Sequence, residues 1–395
     1  MRAGLIIQHG TLPERASGLV RCDIGACIGF VPRAGWPDEA TGGDFLEIKI
    51  RRYEDLAEHP QRGFVEASVR RAARSFFENG GDTLYVYAVC IDDPAVLVGG
   101  GLAEGPLLPL FERLRSEEEI ALVCVPPLAY MKCEVSRKGD VRWHGDALAD
   151  ELLAHCRQMN NRFLVLDAPR GLHGDLLSRW FEAFRRRDPL TRAYGAVYYP
   201  WLMQGDEMYA PSGAVMGTFA RVELEHAPMG VGWPPANVAV RGATHTDIEI
   251  DWAEAGNVGD AGINPLVVQP GRGVVIWGAR TMSLDPAWVH INSRRVVSMV
   301  TEQLRRDNEW AVFEPNDSSL WKVIERDVLV RLEQFWSAGL LSGTRAREEY
   351  SVECNRATNP PAIRDRGELH VSVQLKPVGT TERILIDLRL GTTGP

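Results

Sequence analysis

The chain has 395 residues, of which 45% are hydrophobic and 25% are charged, and its formal net charge is −9. This length exceeds one ordinary core, so we expect two or three domains of a soluble globular protein. The acidic balance argues against a nucleic-acid-binding surface over the whole protein. No apolar run approaches the roughly 20 residues that span a bilayer. The N-terminal apolar stretch is too short for a signal peptide, so we expect cytoplasmic synthesis.

The cysteines are scattered and form no C-x-x-C pair, which argues against a zinc site or a disulfide framework. We expect them to be reduced and either buried or incidental. They are Cys22, Cys27, Cys90, Cys124, Cys133, Cys156 and Cys354.

The first half of the chain alternates between strand and helix patterns. Residues 24–31 and 84–91 read as buried strands, and residues 64–79 have the apolar spacing of a helix. From 100 to 200 the alternation continues, which predicts βαβ units and a mostly parallel sheet. The basic run 185–187 suits the C-terminus of a helix better than an anion site.

Residues 201–265 are rich in glycine and proline and contain one helix candidate, 214–222. A long irregular stretch inside a compact protein is usually functional or part of an interface.

In the last third of the chain, regular patterns begin again with an apolar strand at 271–281. Asp285-Pro286 predicts the start of one helix, and Asp317 or Ser318 the cap of a second. The second helix has an apolar stripe at Leu320, Ile324, Val328, Leu332, Phe335 and Trp336. Two strands with strict apolar alternation, 369–375 and 384–390, close the chain.

We find no convincing group of catalytic residues in the sequence, and we predict that the protein is not an enzyme. Gly271-Arg-Gly lacks the spacing of a phosphate loop. Asp167, His173 and Ser178 could be arranged as a hydrolase site, but an Asp and a His after a strand more often cap the next helix. His144 and His155 need not share a helix face, so we predict no metal site.

Short apolar strands lie near both termini, at Leu5-Ile6-Ile7 and at 384–390. They could pair within the chain, or each could join a sheet edge of a neighbouring subunit. The pattern alone does not choose.

A series of short motifs runs through the chain in order. It consists of Ile28-Gly-Phe-Val-Pro, Phe76-Phe-Glu-Asn-Gly-Gly, Phe163-Leu-Val-Leu-Asp-Ala-Pro, Met208-Tyr-Ala-Pro-Ser-Gly-Ala-Val-Met-Gly, Gly232-Trp-Pro-Pro-Ala-Asn, Gly262-Ile-Asn-Pro-Leu, Gly273-Val-Val-Ile-Trp-Gly-Ala-Arg-Thr-Met, Ile291-Asn-Ser-Arg-Arg and Trp310-Ala-Val-Phe-Glu-Pro-Asn-Asp. This series resembles the contractile tail sheath proteins of phages, tailocins and extracellular contractile injection systems. The resemblance covers nearly the whole chain.

The resemblance implies an α/β fold in two parts. An N-terminal arm (1–21) would donate a strand, an outer mixed α/β domain would occupy 22–260, and an inner α+β assembly domain would occupy 261–395 with a donated C-terminal strand. The donated or receiving strand residues would be Leu5, Ile6, Ile7, Leu369, Val371, Val373, Ile384, Ile386 and Leu388.

The function implied is that of a structural subunit of a phage tail or of a phage-tail-like particle, including particles that are released from the cell. Copies would polymerise helically, in stacked hexameric rings, around an inner tube, and contraction would drive the tube through a target membrane. The other partners would be baseplate and terminal cap proteins. The family implies no cofactor, no nucleic acid and no direct membrane insertion.

Two further expectations follow from the resemblance. Contacts to the inner tube would be electrostatic, from exposed positions on the two inner helices: Arg294, Arg295, Arg305, Arg306, Lys322, Arg326 and Arg331. The alternative is that these side chains only form i,i+4 pairs. The N-terminal arm is shorter than the family's, which leaves open a specialised baseplate-proximal or adaptor paralogue, although we favour the main sheath.

Overall fold

The computed structural model describes residues 18–36, 44–343, 345 and 349–379, together with the backbone of 384–391. Its strands are β1 (Gly25–Pro32), β2 (Phe45–Ile50), β3 (Leu84–Ile91), β4 (Leu122–Cys124), β5 (Cys133–Val135), β6 (Val141–Trp143), β7 (Phe163–Asp167), β8 (Gly195–Tyr199), β9 (Leu202–Gln204), β10 (Glu207–Tyr209), β11 (Val238–Ala239), β12 (His245–Thr246), β13 (Asn264–Gln269), β14 (Gly273–Ile276), β15 (Tyr350–Glu353), β16 (Glu368–Leu375) and β17 (Ile384–Gly391).

The helices lie between these strands, with a long pair before the last three. They are α1 (Tyr53–Ala57), α2 (Ala67–Glu78), α3 (Leu108–Ser116), α4 (Asp146–Met159), α5 (Gly174–Arg185), α6 (Ser212–Glu225), α7 (Trp252–Ala261), α8 (Ile291–Asp307), α9 (Ser318–Ser337) and α10 (Pro361–Arg364). None of the helices in the described ranges is long and apolar enough to cross a membrane.

A nine-stranded sheet forms the larger part of the molecule, in the order β11-β14-β13-β8-β7-β4-β1-β3-β2. Its central strands, from β3 to β13, are parallel, whereas β2, β14 and β11 pair antiparallel at the two edges. The predicted mostly parallel sheet is confirmed. The alternating strand and helix patterns of the first half indicated it because parallel neighbours need a crossover connection.

Two hydrophobic cores enclose this sheet, one on each face. Side chains from α3, α4, α5 and α7 pack on one face, and side chains from α1, α2 and α6 pack on the other. The strands are therefore buried on both sides, as all eight residues of β3 show. Six of the seven cysteines are buried and all seven are free thiols.

A separate core holds the C-terminal part together. It consists of one face of α8, the apolar stripe of α9, and inward-facing residues of β15 and β16. Asp317 caps α9 by accepting hydrogen bonds from the N–H groups of Ser319 and Leu320, as predicted. The first helix of this part differs from the prediction: Asp285 caps only a short 3-10 turn at 286–288, and α8 begins at Ile291.

Two other predictions need correction. The boundary at 260/261 falls inside the large sheet, because β13 pairs with β8, and the Asn264 side chain bonds both Val197 O and the backbone of Arg280. The stretch 201–265 is also more regular than expected. It contains α7, which is capped by Asp251 and ended by Gly262 in the left-handed region, and the small sheet β10-β9-β12.

Candidate subunit interface

The closing strands form a three-stranded antiparallel sheet in the order β15-β16-β17. β17 pairs with β16 of the same chain over eight residues, from Glu368↔Gly391 to Leu375↔Ile384. Of the two alternatives that the sequence pattern allowed for this strand, the structure shows pairing within the same chain. Pairing of the same strand with a neighbouring subunit stays a prediction. Leu5, Ile6 and Ile7 lie outside the described residues.

One face of β16 belongs to the C-terminal core. Leu369, Val371, Val373 and Leu375 are buried, and the residues between them are half-buried. The buried face is part of the same cluster as α9, whose predicted stripe is confirmed at Leu320, Ile324, Val328, Leu332 and Phe335. Trp336 is only partly buried against that cluster.

An apolar groove of about 810 Å³ runs between α9 and the edge strand β15. It is lined by Leu329, Val330, Tyr350 and Val352, with Glu333 at its side hydrogen-bonded to the Tyr350 hydroxyl. Leu329 and Val330 are 38% and 54% exposed, so the α9 side of the groove is an exposed apolar surface. In the described part of the chain β15 has one partner strand, β16, so the edge and the groove together present a surface for another chain.

Two of the predicted tube-contact arginines are not at the surface. The Arg294 side chain stacks on Tyr194 and Trp288, with its guanidinium carbon 4.6 and 4.2 Å from the ring centres, and burial lowers its pKa. Arg295 is also buried and forms a salt bridge with Glu223 at 2.9 Å. The expectation that Arg294 and Arg295 are exposed is wrong, because both lie on the side of α8 that faces the large sheet and its loops.

The other predicted contact residues lie nearer the surface, and most have partners within the chain. Arg305 bonds Glu302, Glu309 and, across to the large-sheet part, Glu118, while Arg306 bonds Glu302. Arg331 bonds Asp307 at 2.6 Å. On α9, Arg326 pairs with its neighbour Asp327, and Lys322 and Arg326 are both exposed.

The root of the N-terminal arm, residues 18–23, contacts three side chains through its backbone: Gln303, Glu223 and Arg295. The sequence did not single out Gln303 or Glu223. Sequence reasoning weighed Arg295 only as a surface charge. No local pattern could have identified Gln303, since it lies 283 residues from its partner Val20.

The residues considered for hydrolysis make other contacts. Asp167 is buried, and its Oδ1 accepts a hydrogen bond from Ser212 N at 2.6 Å, at the start of α6. Burial raises the pKa of this carboxyl group to about 7, against the lowering effect of the Ser212 hydrogen bonds. His173 and Ser178 are exposed, and the Ser178 hydroxyl donates to Gly174 O. Asp167 therefore holds a helix N-terminus.

The basic run after α5 is engaged within the chain. Arg185 donates to the backbone oxygens of Ala261 and Ser283, Arg186 pairs with Glu182, and Arg187 pairs with Asp146 and Asp150. The interpretation of this run as part of a helix end, in preference to an anion site, agrees with these contacts.

Comparison with protein families gives two consecutive matches. Residues 144–282 match the phage tail sheath protein central domain, and residues 283–391 match the phage tail sheath C-terminal domain. The junction at 282/283 follows the last strand of the large sheet, β14.

Curated relatives are tail sheath proteins. The chain is 25% identical over 151 residues to that of Enterobacteria phage T4, covering 37% of this chain and 22% of the relative, and 25% identical over 190 residues to that of Escherichia phage P2, covering 46% and 44%. It is 23% identical over 149 residues to that of Vibrio phage KVP40. The chain thus spans about a fifth of the length of the T4 and KVP40 proteins.

Solved structures share the fold over almost the full length. A chain of the anti-feeding prophage helical sheath in its contracted state is 22% identical with a TM-score of 0.69, covering 98% of both chains. A chain of the PVC extracellular contractile injection system sheath complex, also contracted, is 21% identical with a TM-score of 0.67, covering 98% of this chain and 97% of the other. These likenesses establish the fold.

Proposed function

Because the chain belongs to the phage tail sheath family, as the consecutive matches to its central and C-terminal domains show, we propose that it is a structural sheath subunit of a contractile injection machine. Copies polymerise helically around an inner tube, and contraction of the sheath drives that tube through a target membrane. The observation that carries the proposal is the pair of consecutive domain matches, together with the fold shared over 98% of the chain with a contracted sheath.

Strand exchange between subunits would link the polymer. The β16–β17 ladder is a regular antiparallel pairing of eight residues, and the same ladder can form when β17 comes from a neighbouring copy. Such a contact joins two different surfaces, so it does not close on itself and instead extends into a helical array. The edge of β15 and its groove offer a second place where a neighbouring strand can add. The N-terminal segment that contains Leu5, Ile6 and Ile7 is the candidate for it.

Contraction would release a metastable arrangement. In this mechanism the extended lattice is held by a kinetic barrier, and a baseplate signal lets each subunit move to a lattice that buries more surface. Exchanged strands keep neighbouring subunits connected while they move. The conversion of one ring can then propagate to the next.

The exposed basic positions Lys322 and Arg326 on α9 are our candidates for the inner-tube contact, with Arg305, Arg306 and Arg331 as more shielded neighbours. Exposed charges of this kind steer association, and their effect weakens as the ionic strength rises. Charge reversal at Lys322 and Arg326 is expected to loosen binding to an inner tube while leaving tubes of sheath alone unchanged.

The experiment that tests the proposal is negative-stain electron microscopy of the full chain and of a chain ending at residue 383. The full chain is expected to form hollow striated tubes. The shortened chain is expected to stay unassembled yet folded in its large sheet, as measured by circular dichroism.

Tubes from the shortened chain would contradict strand exchange. Only monomers from the full chain would contradict self-polymerisation and point to the baseplate-proximal or adaptor paralogue.

A further inference from the structure

A buried amide side chain holds the root of the N-terminal arm at two points. Gln303, on α8, is 1% exposed. Its Oε1 accepts a hydrogen bond from Val20 N at 2.8 Å, and its Nε2 donates to Gly18 O at 3.0 Å. Both partners are main-chain groups, so Gln303 binds the arm root as a neighbouring β-strand would.

The same kind of contact is repeated at Cys22. Its N–H donates to Glu223 Oε1 at 3.1 Å, and its carbonyl oxygen accepts from the Arg295 guanidinium at 2.7 Å. Glu223 and Arg295 bond each other at 2.9 Å. The backbone groups that form these bonds belong to residues 18, 20 and 22. Alternate residues of an extended chain point to the same side.

The groups that bind the arm root are themselves held in place. Gln303 Nε2 also donates to Asp307 Oδ1 at 2.8 Å, and Arg331 of α9 donates to the other oxygen of Asp307 at 2.6 Å. Glu223 belongs to α6, on the large sheet. The arm root is thus tied to both parts of the molecule through three helices. Arg331, considered above as a tube contact, belongs to this network.

We propose that Gln303, Glu223 and Arg295 form an anchor that fixes the root of the N-terminal arm for the contact of that arm with a second copy of this chain. The inference rests on the proposed function, because it assumes that the arm links subunits. Fixing the exit point confines the arm to a small volume near its acceptor, and confinement raises its effective concentration there. The residues of the anchor are positioning residues for assembly.

The test replaces Gln303 by methionine, which keeps the length of the side chain and removes both hydrogen bonds to the arm root, together with the one to Asp307. Gln158→Met, at an exposed position of α4, is the matched control. The first measurement is amide hydrogen exchange of the unassembled full chain. We expect exchange at Val20 to be about tenfold faster or more in Gln303→Met, with exchange in β3 unchanged.

The second measurement is the protein concentration at which tubes appear by electron microscopy. We expect Gln303→Met to raise this threshold about tenfold or more and Gln158→Met to leave it unchanged. A change that affected only stability would speed exchange throughout α8 and β16, whereas loss of the anchor acts on residues 18–23 and on assembly.

Each result decides between the two proposals. Wild-type tubes with an unchanged threshold for Gln303→Met would overturn the anchor and leave the sheath function standing. Faster exchange at Val20 with a normal threshold would also overturn it, since the contact would then hold the arm root without directing assembly. Absence of wild-type tubes would remove the sheath function and the anchor's role in assembly together.

If Gln303→Met does not fold, Gln303→Glu replaces it. This variant keeps the acceptor for Val20 N, loses the donors to Gly18 O and Asp307 Oδ1, and places a second carboxyl group beside Asp307. We expect a raised threshold and exchange at Val20 close to wild type. An unchanged threshold would overturn the anchor here as well.

Discussion

The large sheet and the C-terminal sheet β15-β16-β17 differ at their edge strands β2 and β15. On the large sheet, the edge strand β2 carries Glu47 and Lys49, which pair with Arg113 and Glu119. Charged side chains of this kind discourage another strand from adding. On the C-terminal sheet β15-β16-β17, the edge strand β15 instead lies beside the apolar groove of Leu329 and Val330.

The strands differ in burial as well. β3 of the large sheet is buried along its whole length, whereas β16 alternates between buried and half-buried residues. A sheet covered by helices on both faces is complete within one chain. A sheet with one covered face and an open edge can take part in another chain's structure. The comparison teaches that the large sheet is covered on both faces within the subunit, whereas the C-terminal sheet has an edge strand, β15, with a single partner strand in the described part of the chain.

The largest effect on stability is expected from removing a buried ring in either part. Phe335→Ala in the C-terminal core and Phe181→Ala in the large-sheet core each leave a cavity, which costs about 3–5 kcal/mol of unfolding free energy. Urea unfolding measures this loss. Under conditions where both variants stay folded, we expect Phe335→Ala to impair tube formation and Phe181→Ala to preserve it. Tubes from Phe335→Ala and none from Phe181→Ala would contradict the proposed difference between the two parts of the molecule.

The pH dependence of stability provides the next test. Burial raises the pKa of Asp167 to about 7 from its ordinary value of 3.8, so the folded chain binds a proton there that the unfolded chain has released. Binding of this proton stabilises the folded state. The contribution is fully present below pH 3.8 and is lost as the pH rises through 7, and it amounts to a free energy of unfolding on the order of 2–4 kcal/mol.

Asp167→Asn keeps an acceptor for Ser212 N and cannot ionise. Thermal unfolding is measured at pH 5 and at pH 8. We expect the stability of the variant relative to the wild type to be higher at pH 8 than at pH 5. A constant difference between the two proteins would refute the raised pKa.

A smaller effect is expected at the helix caps. Asp317 accepts two backbone N–H groups at the start of α9, and Asp251 accepts one at the start of α7. Replacing either by alanine is expected to cost about 1 kcal/mol, with the larger loss at Asp317. Chemical denaturation of the two variants checks the order, and equal losses would show that the second hydrogen bond adds nothing.

The smallest effect on stability is expected at the groove. Val330 and Leu190 are 54% and 66% exposed, so replacing either by aspartate is expected to change the unfolding free energy by less than about 0.5 kcal/mol. Val330→Asp is nevertheless expected to abolish tubes, because it places a charge where a partner chain would bury it. Leu190→Asp serves as the control on the large-sheet part. Tubes from Val330→Asp would show that the groove is not an interface.

Much of the fold could be predicted from the sequence because local pattern and burial agree there. The stripe of α9 and the alternation of β16 follow from periods of 3.6 and 2, which any chain must satisfy to cover one face. The cap at Asp317 is equally local. The helix α7 was not predicted, because its residues Gly256 and Gly259 are typical of a loop. The cap at Asp251 and the contacts of Ala255 with the large-sheet core outweighed their low helix propensity.

By itself, the sequence determined the parallel sheet and the family, since the sheet follows from the alternation of strand and helix patterns and the family from an ordered series of motifs. Tertiary structure alone decided that Arg294 and Arg295 face inward, that β13 and β14 belong to the large sheet, and that Gln303 holds the arm root. The physical reason is distance along the chain. A charge or an amide has no period, so its role depends on its partners. These partners lie as far as 285 residues away, in the case of Gln303, and only folding brings them together.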